Sequence, residues 1–289
     1  MKRLTSLLLS GVLALSLSVP AFAAEHNSCT ETSYTYTLYG QEMQITEHRC
    51  ANGDSTVRVE SKDEVVISSL DADTQEMTVT VESDEVGEET STFTLSALDK
   101  NVPVETQVVE TEDSNVSPYG NTYSASSAYW NFSCYSHTNR VDTVGTFWRL
   151  TVPSTTSHSA YDQNDSALHG YADNFREKLH AINNNIYEAD RIMRNAGQAT
   201  LIDATASALG SHFAVLGGNV VAVGVAISLA TVTAIIRTVG AGLDSNPYWY
   251  EACQRAKEAT DEFLVFRSLT QAAQEESSLF AGGDFAQEK

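Results

Sequence analysis

The sequence predicts an α+β protein: an N-terminal antiparallel, β-rich acidic domain, then an aromatic β-hairpin and a helical bundle that encloses an apolar helical hairpin. Three observations carry this expectation. Short runs between Ser33 and Leu95 alternate apolar and polar side chains, the period of half-buried strands. Leu168, Ala172, Phe175, Leu179, Ile182, Ile186, Ala189 and Met193 are separated by four and three residues in turn, which is the heptad stripe of one long helix. Finally, the stretch from Ala204 to Ile236 contains no Asp, Glu, Lys or Arg.

Taken in order, Lys2 and Arg3 precede an apolar run from Leu4 to Val19, followed by Ala21-Phe22-Ala23. This is the layout of a secretory signal peptide over residues 1–23 with an A-x-A cleavage site, so the exported chain is expected to begin at Ala24. No cysteine follows the cleavage point directly, so a released product is expected rather than a lipoprotein.

Residues 24–99 read as the acidic β-rich domain. Ser33 to Leu38 and Gln41 to Arg49 flank Tyr39-Gly40. A two-residue loop there sets Cys29 opposite Cys50, within disulfide reach. Asn52-Gly53 signals a further turn, and Thr56–Val59, Val65–Leu70, Met77–Val81 and Thr92–Leu95 continue a meander. From Ala24 to Asn115 there are 21 acidic and 4 basic residues, and from Val116 to Lys289 there are 17 and 11. The acidic residues suit a solvated outer face, or a mask over the second half. Asp71, Asp73 and Glu76 lack the EF-hand spacing for Ca²⁺. Acidity on this scale excludes nucleic-acid binding and constitutive attraction to anionic lipid, both of which need Lys and Arg.

Residues 100–126 carry Pro, Gly and acidic residues without a sustained period and are read as a linker. Residues 127–280 are read as aromatic strands plus the bundle. Tyr129, Trp130, Phe132, Tyr135, Phe147 and Trp148 fall in strand-like sequence with a turn near Asn139–Asp142. The heptad helix follows, capped by Asn164 or Asp165 and ended by Gly197. The apolar hairpin spans 200–243, with arms Thr200–Leu216 and Val220–Val239 and a tip at Gly217-Gly218-Asn219, since glycine ends helices and Asn caps the next. Its second arm from Val220 to Ile236, about 26 Å as a helix, falls just short of a hydrocarbon core of about 30 Å. In that arm Ala222, Ala226, Ala230 and Ala234 recur every fourth residue after Gly218, with Gly224 and Ser228 as a second pair. Such a ridge of small side chains admits another backbone closely. Asn246-Pro247 opens a last helix whose Trp249, Cys253, Ala256, Phe263, Phe266 and Leu269 lie broadly on one face. Residues 281–289 are read as a flexible tail.

Four cysteines in an exported chain favour disulfides: Cys29–Cys50 from the hairpin register, which leaves Cys134–Cys253 to staple the aromatic strands to the last helix. Catalytic signatures are missing: there is no G-x-S-x-G, H-E-x-x-H, C-x-x-C or Walker loop. His158, His169 and His180 are eleven residues apart, and the last two would stand about 16 Å apart along a helix, too far for one metal. No metal or cofactor is expected. Cys134 near His137 suits a disulfide better than a thiol nucleophile.

An exported chain whose uncharged helical hairpin is shielded by amphipathic helices resembles colicin-type pore formers and the large secreted bacteriocins of the geobacillin-like group. The resemblance covers roughly Leu168–Leu269 and rests on architecture. It implies a non-enzymatic, membrane-active antibacterial or toxin-like protein. Its implied partners are a target-cell membrane or surface receptor and, for the producer, an immunity protein. The alternative is a secreted, non-catalytic surface-binding or structural protein in which the hairpin is only core.

Overall fold

In the computed structural model, which describes residues 28–84, 87–95, 122–127, 130–138, 146–153, 158–162, 166–216 and 227–281, the chain is α+β. Six strands form the first sheet in sequential order: β1 (Cys29–Leu38), β2 (Gln41–Cys50), β3 (Ser55–Glu60), β4 (Glu64–Asp71), β5 (Glu76–Ser83) and β6 (Gly87–Thr94). All neighbours are antiparallel. Tyr39 and Gly40, at φ 51° and 78°, make the two-residue turn with both central residues left-handed that suits the twist of a tight hairpin. That turn sets Cys29 against Cys50, and the two are joined as a disulfide.

One face of the sheet is apolar and fully covered: Met43, Ile45, Val57, Val59, Val66, Met77 and Val79 are buried. The opposite face is dressed with hydroxyl pairs directly across the strands, Ser33 with Thr46, Thr56 with Ser69, and Thr80 with Thr90, at 3.0–3.1 Å. This in–out alternation fixes the register, because a one-residue slip would turn the apolar set to water.

The second sheet has strand order β10-β9-β8-β7, with β7 (Thr122–Ser126), β8 (Ser133–Thr138), β9 (Thr146–Thr151) and β10 (His158–Asp162). The aromatic hairpin expected from sequence is its centre, β8 against β9. Two strands were not expected. The first, β7, occupies the end of the stretch read as linker, so that linker reading does not hold for residues 122–126. The second, β10, lies beyond the hairpin.

Four helices are present among the described residues: α1 (Ser166–Asn195), α2 (Ile202–Leu216), α3 (Leu229–Val239) and α4 (Asn246–Ala281). All eight residues of the heptad stripe are buried on α1. Gly197, at φ 76°, closes α1: its N–H bonds to Arg194 O and that of Gln198 to Met193 O, the paired bonds of a glycine-ended helix. Helices α1 and α4 run antiparallel, tied at Lys178–Glu258 and Asn174–Glu262. On α4 Trp249, Cys253, Ala256, Phe263 and Phe266 are buried, whereas Leu269 is 38% exposed; it does not belong to the apolar face.

The apolar helices lie between the other layers. Helix α3 packs on β3 and β4, α2 packs on β6 and α3, and α1 and α4 pack together behind them. The second sheet leans on α1 and α4. Buried residues of both sheets and all four helices belong to one continuous core. The hairpin is thus enclosed by the six-stranded sheet as much as by helices. Most of the stretch between the sheets, like residues 1–27 and 282–289, lies outside the described residues.

Candidate functional site: the apolar hairpin and its polar anchors

Of the residues assigned to the hairpin site, Gly217, Gly218, Asn219, Ala222, Gly224 and Ala226 lie outside the described residues. Ser228, Ala230 and Ala234 are placed, and they correct one expectation. The second arm is not a single helix from Val220 to Ile236. Ser228 has extended backbone (φ −68°, ψ 165°) and its side chain accepts the N–H of Thr231 at 3.0 Å, so it caps the start of α3. A serine hydroxyl that satisfies a free N–H competes with continuing the helix through that point. Helix α3 therefore has 11 residues and is about 17 Å long, well short of a bilayer core. Ala230 and Ala234 are both fully buried.

The first arm follows its expected bounds more closely. A 3₁₀ turn at Ala199–Leu201 runs into α2. Together, Ala199–Leu216 form an 18-residue apolar run with mean hydropathy 1.2, of which 44% is buried. Phe213 is buried against Phe132, ring centroids 5.6 Å apart and edge-on; burying such a ring contributes roughly 1.5–3 kcal/mol. Trp130 donates its indole N–H to Ala206 O at 3.0 Å and packs over Gly210, where an added Cβ would come within 2.5 Å of the ring. His212 is 3% exposed, bonded through Nδ1 to the Ser91 hydroxyl at 3.0 Å. It ties α2 to β6.

Helix α3 is held to the sheet by polar contacts concentrated at its last turn. Ser55 donates to Thr238 O at 2.7 Å, and Thr238 donates to Ser68 O at 3.2 Å. Arg237 reaches the two oxygens of Glu47 from Nε and Nη2 at 2.6 and 3.0 Å. Its Nη1 donates to Ala241 O at 2.7 Å. Arg49 donates from Nε to Glu47 at 3.0 Å, and from Nη2 to the carbonyl of Arg237. Tyr34 donates its hydroxyl to Glu47. Glu47 is 4% exposed and so answers two guanidinium groups and a phenol.

The electrostatics follow from this clustering. Burial alone would raise the pKa of Glu47, but the hydrogen bonds from Arg237 and Tyr34 and the charges of both arginines outweigh it and hold the carboxyl below its ordinary value. Burial, then the bond to Glu47, pushes Tyr34 up to about 12. Burial would lower Arg237, but Glu47 overrides it and raises that pKa. Nearby, Glu64 is raised by burial, against the opposing bond with Ser228.

Sequence reasoning missed this cluster. Two signals were available. Glu47 follows Met43 and Ile45 at strand period, so it belongs to the covered face and not to the solvated one. Arg237 is the first charge after the uncharged stretch, a cation in the last turn of a helix, where it also favours the helix dipole.

The disulfide assignments divide. Cys29–Cys50 is formed, which is compatible with an extracellular protein. Cys134 and Cys253 are not joined; both are free and buried. Cys134 lies near Asp173 and Arg176 on α1, whereas the α1–α4 pairings place Cys253 opposite a point about two turns further along α1. That offset of about 10 Å or more exceeds the reach of a disulfide. Burial pushes the Cys134 thiol up to about 12 and raises that of Cys253 as well, so neither is poised as a nucleophile.

The remaining candidates are occupied locally. Asp71 accepts the N–H groups of Asp73 and Thr74 at 2.9 Å, holding the β4–β5 turn. His169 packs edge-on against Trp148, 5.7 Å between centroids. Burial, then Arg176, lowers the pKa of His180. Among the described residues no three His, Cys, Asp or Glu side chains gather as a metal site. An open cleft of about 460 Å³ between the β3–β4 and β5–β6 ends is lined by Lys62, Asp63, Glu64, Glu82, Asp84 and Glu88, among others, a charged rim unlike an apolar ligand pocket. The fold and its central feature thus define a class: an α+β protein in which two sheets and a helix pair enclose an apolar helical hairpin. No family model, curated protein or solved structure matches this chain.

Proposed function

We propose that this is a secreted, non-catalytic, membrane-active protein of the antibacterial or toxin-like kind, with α2 as the leading membrane-seeking element. One observation carries the reading. The run Ala199–Leu216 is long and apolar enough to cross a membrane by length and composition, and 44% of its residues are fully buried. Val215 is exposed and Leu201, Ala204, Ala214 and Leu216 are only partly covered, so this run keeps apolar side chains within reach of an outside partner. The proposed partners are a target-cell membrane or surface receptor and, for the producer, an immunity protein. The proposed location is extracellular, after removal of residues 1–23.

A second reading, a surface-binding or structural protein with a permanent core hairpin, is favoured by the near-complete burial of α3. Val215 separates the two. It is 51% exposed on α2, so Val215→Asp leaves the folded protein within about 0.5 kcal/mol of the parent. In a bilayer a charge costs about 2.5–3.5 kcal/mol at the helix centre, and less toward an end. Leakage from dye-loaded vesicles should occur with the parent protein and fall with Val215→Asp, with the melting temperature lowered by no more than a few degrees. No leakage from either protein would remove the membrane reading.

A further inference from the structure

We propose that the six-stranded sheet is an autoinhibitory cover for α3, and that the contact of Glu47 with Arg237 and Arg49 is the latch that keeps α3 against it. The inference deepens the membrane-active reading and rests on it for its biological purpose, but the latch itself can be tested without a membrane.

Three features support it. The first is where the polar contacts fall. Apart from Ser228 at its start, which bonds to Glu64, α3 meets the sheet through apolar and small side chains, while the ion pair and all three carbonyl contacts gather at residues 237 and 238. A helix meant only to fill a core does not need a buried carboxylate there, since well-packed apolar residues in place of a buried ion pair are often neutral or more stable. A buried pair does, however, make the contact all-or-none: loss of one partner leaves the other charge buried and uncompensated.

The second feature is the connection behind the latch. Gly240, at φ 96°, ends α3, and its N–H and that of Ala241 bond back to Arg237 O and Ile236 O. Two residues on, the N–H of Gly242 is held by the Gln198 side chain at 2.9 Å. The chain entering α2 and the chain leaving α3 are therefore tied to one another at α1's end. Loss of the sheet contact leaves this tie in place.

The third feature is that the scaffold behind α3 does not depend on the latch. Helices α1 and α4 pack along their own length through the buried heptad stripe and through the Lys178–Glu258 pair. Opening the α3–sheet contact therefore exposes apolar surface without dismantling the pair that carries it.

The test uses the full chain with Glu47→Gln, which keeps the shape of the side chain and removes its charge, and Arg49→Gln as a milder second variant at a half-exposed position. Hydrogen exchange is followed separately in residues 229–239 and in α1 and α4. The expected result is exchange in residues 229–239 about tenfold faster or more in Glu47→Gln, a smaller rise in Arg49→Gln, and little change in α1. Vesicle leakage, with vesicles of neutral phospholipid and of a neutral–anionic mixture, should rise in the same order. Exchange that rises equally in every helix, or does not rise in residues 229–239 of a folded variant, overturns the latch. Selective loosening of residues 229–239 without leakage upholds the latch and overturns the membrane reading instead.

Discussion

Two helical glycines provide a matched test of the packing around α2. Gly170 sits in α1 with nothing within 4 Å of the place where a Cβ would go, whereas at Gly210 that Cβ would lie 2.5 Å from Trp130 Cδ1 and 2.9 Å from its Nε1. Replacing glycine by alanine within a helix stabilises by about 0.5–1 kcal/mol through backbone entropy and propensity. At Gly170 that gain is unopposed. At Gly210 it is opposed by overpacking, which costs about 1–3 kcal/mol. It is opposed again by the bond from Trp130 to Ala206 O, worth about 0.5–1.5 kcal/mol if the indole is pushed aside. The indole has little room to yield, since Trp130 is 3% exposed. Gly170→Ala should therefore melt about 1–4 °C above the parent and Gly210→Ala several degrees below it, at roughly 2–4 °C per kcal/mol for a chain of this size. Paired thermal melts, with tryptophan fluorescence as a second probe, read the difference. If Gly210→Ala is as stabilising as Gly170→Ala, the indole does not seat on α2, and the account of how Trp130, just before β8, holds that helix fails.

Further outcomes are expected for thiols and for pH. Non-reducing peptide mapping should recover Cys29 joined to Cys50, while Cys134 and Cys253 should resist alkylation in the native protein and react fully in denaturant; a Cys134–Cys253 crosslink would contradict the offset between them. Glu47 contributes stability that is present above the unfolded carboxylate value and lost as pH falls through its lower folded value, so the acid limb should begin below 4.5. Glu64 has the opposite sign, because its raised pKa costs stability at neutral pH that is recovered as it protonates. Urea unfolding across that range should show a steeper acid loss in the parent than in Glu47→Gln; parallel curves would exclude Glu47 as its source. Tyr34 extends the same cluster to alkali: its phenol stays protonated to about 12 against an ordinary 10.0, so its contribution is intact below 10 and lost toward 12.

The sequence carried the local order of this protein better than its assembly. The heptad stripe of α1 and the Cys29–Cys50 register were legible because each depends on one element or one turn, where spacing decides geometry. Glu47 was misplaced because acidic residues were read by sign rather than by strand parity. Ser228 was read as one small residue among several, although its hydroxyl is what starts α3. The unexpected β7 and β10 are short strands whose pairing depends on their neighbours in the sheet, which no local pattern announces. Cys134 and Cys253 were paired by elimination, and only the antiparallel alignment of α1 with α4 shows that they lie at different heights.

The sequential order of the first sheet also bears on the time at which each part can form. Every pairing in it is between consecutive strands, so it can zip up from nearby contacts alone as soon as residues 29–94 are available. The helix that covers its apolar face begins at Leu229, and the Glu47–Arg237 contact closes a separation of 190 residues. A chain that becomes available from its N-terminus would therefore hold a finished sheet with one bare side until its last quarter arrives. The excess of acidic over basic residues in that first third, 21 against 4 between Ala24 and Asn115, gives the waiting intermediate a strong self-repulsion that opposes association between copies. The charge that looks ornamental on the finished protein has its use before the protein is finished.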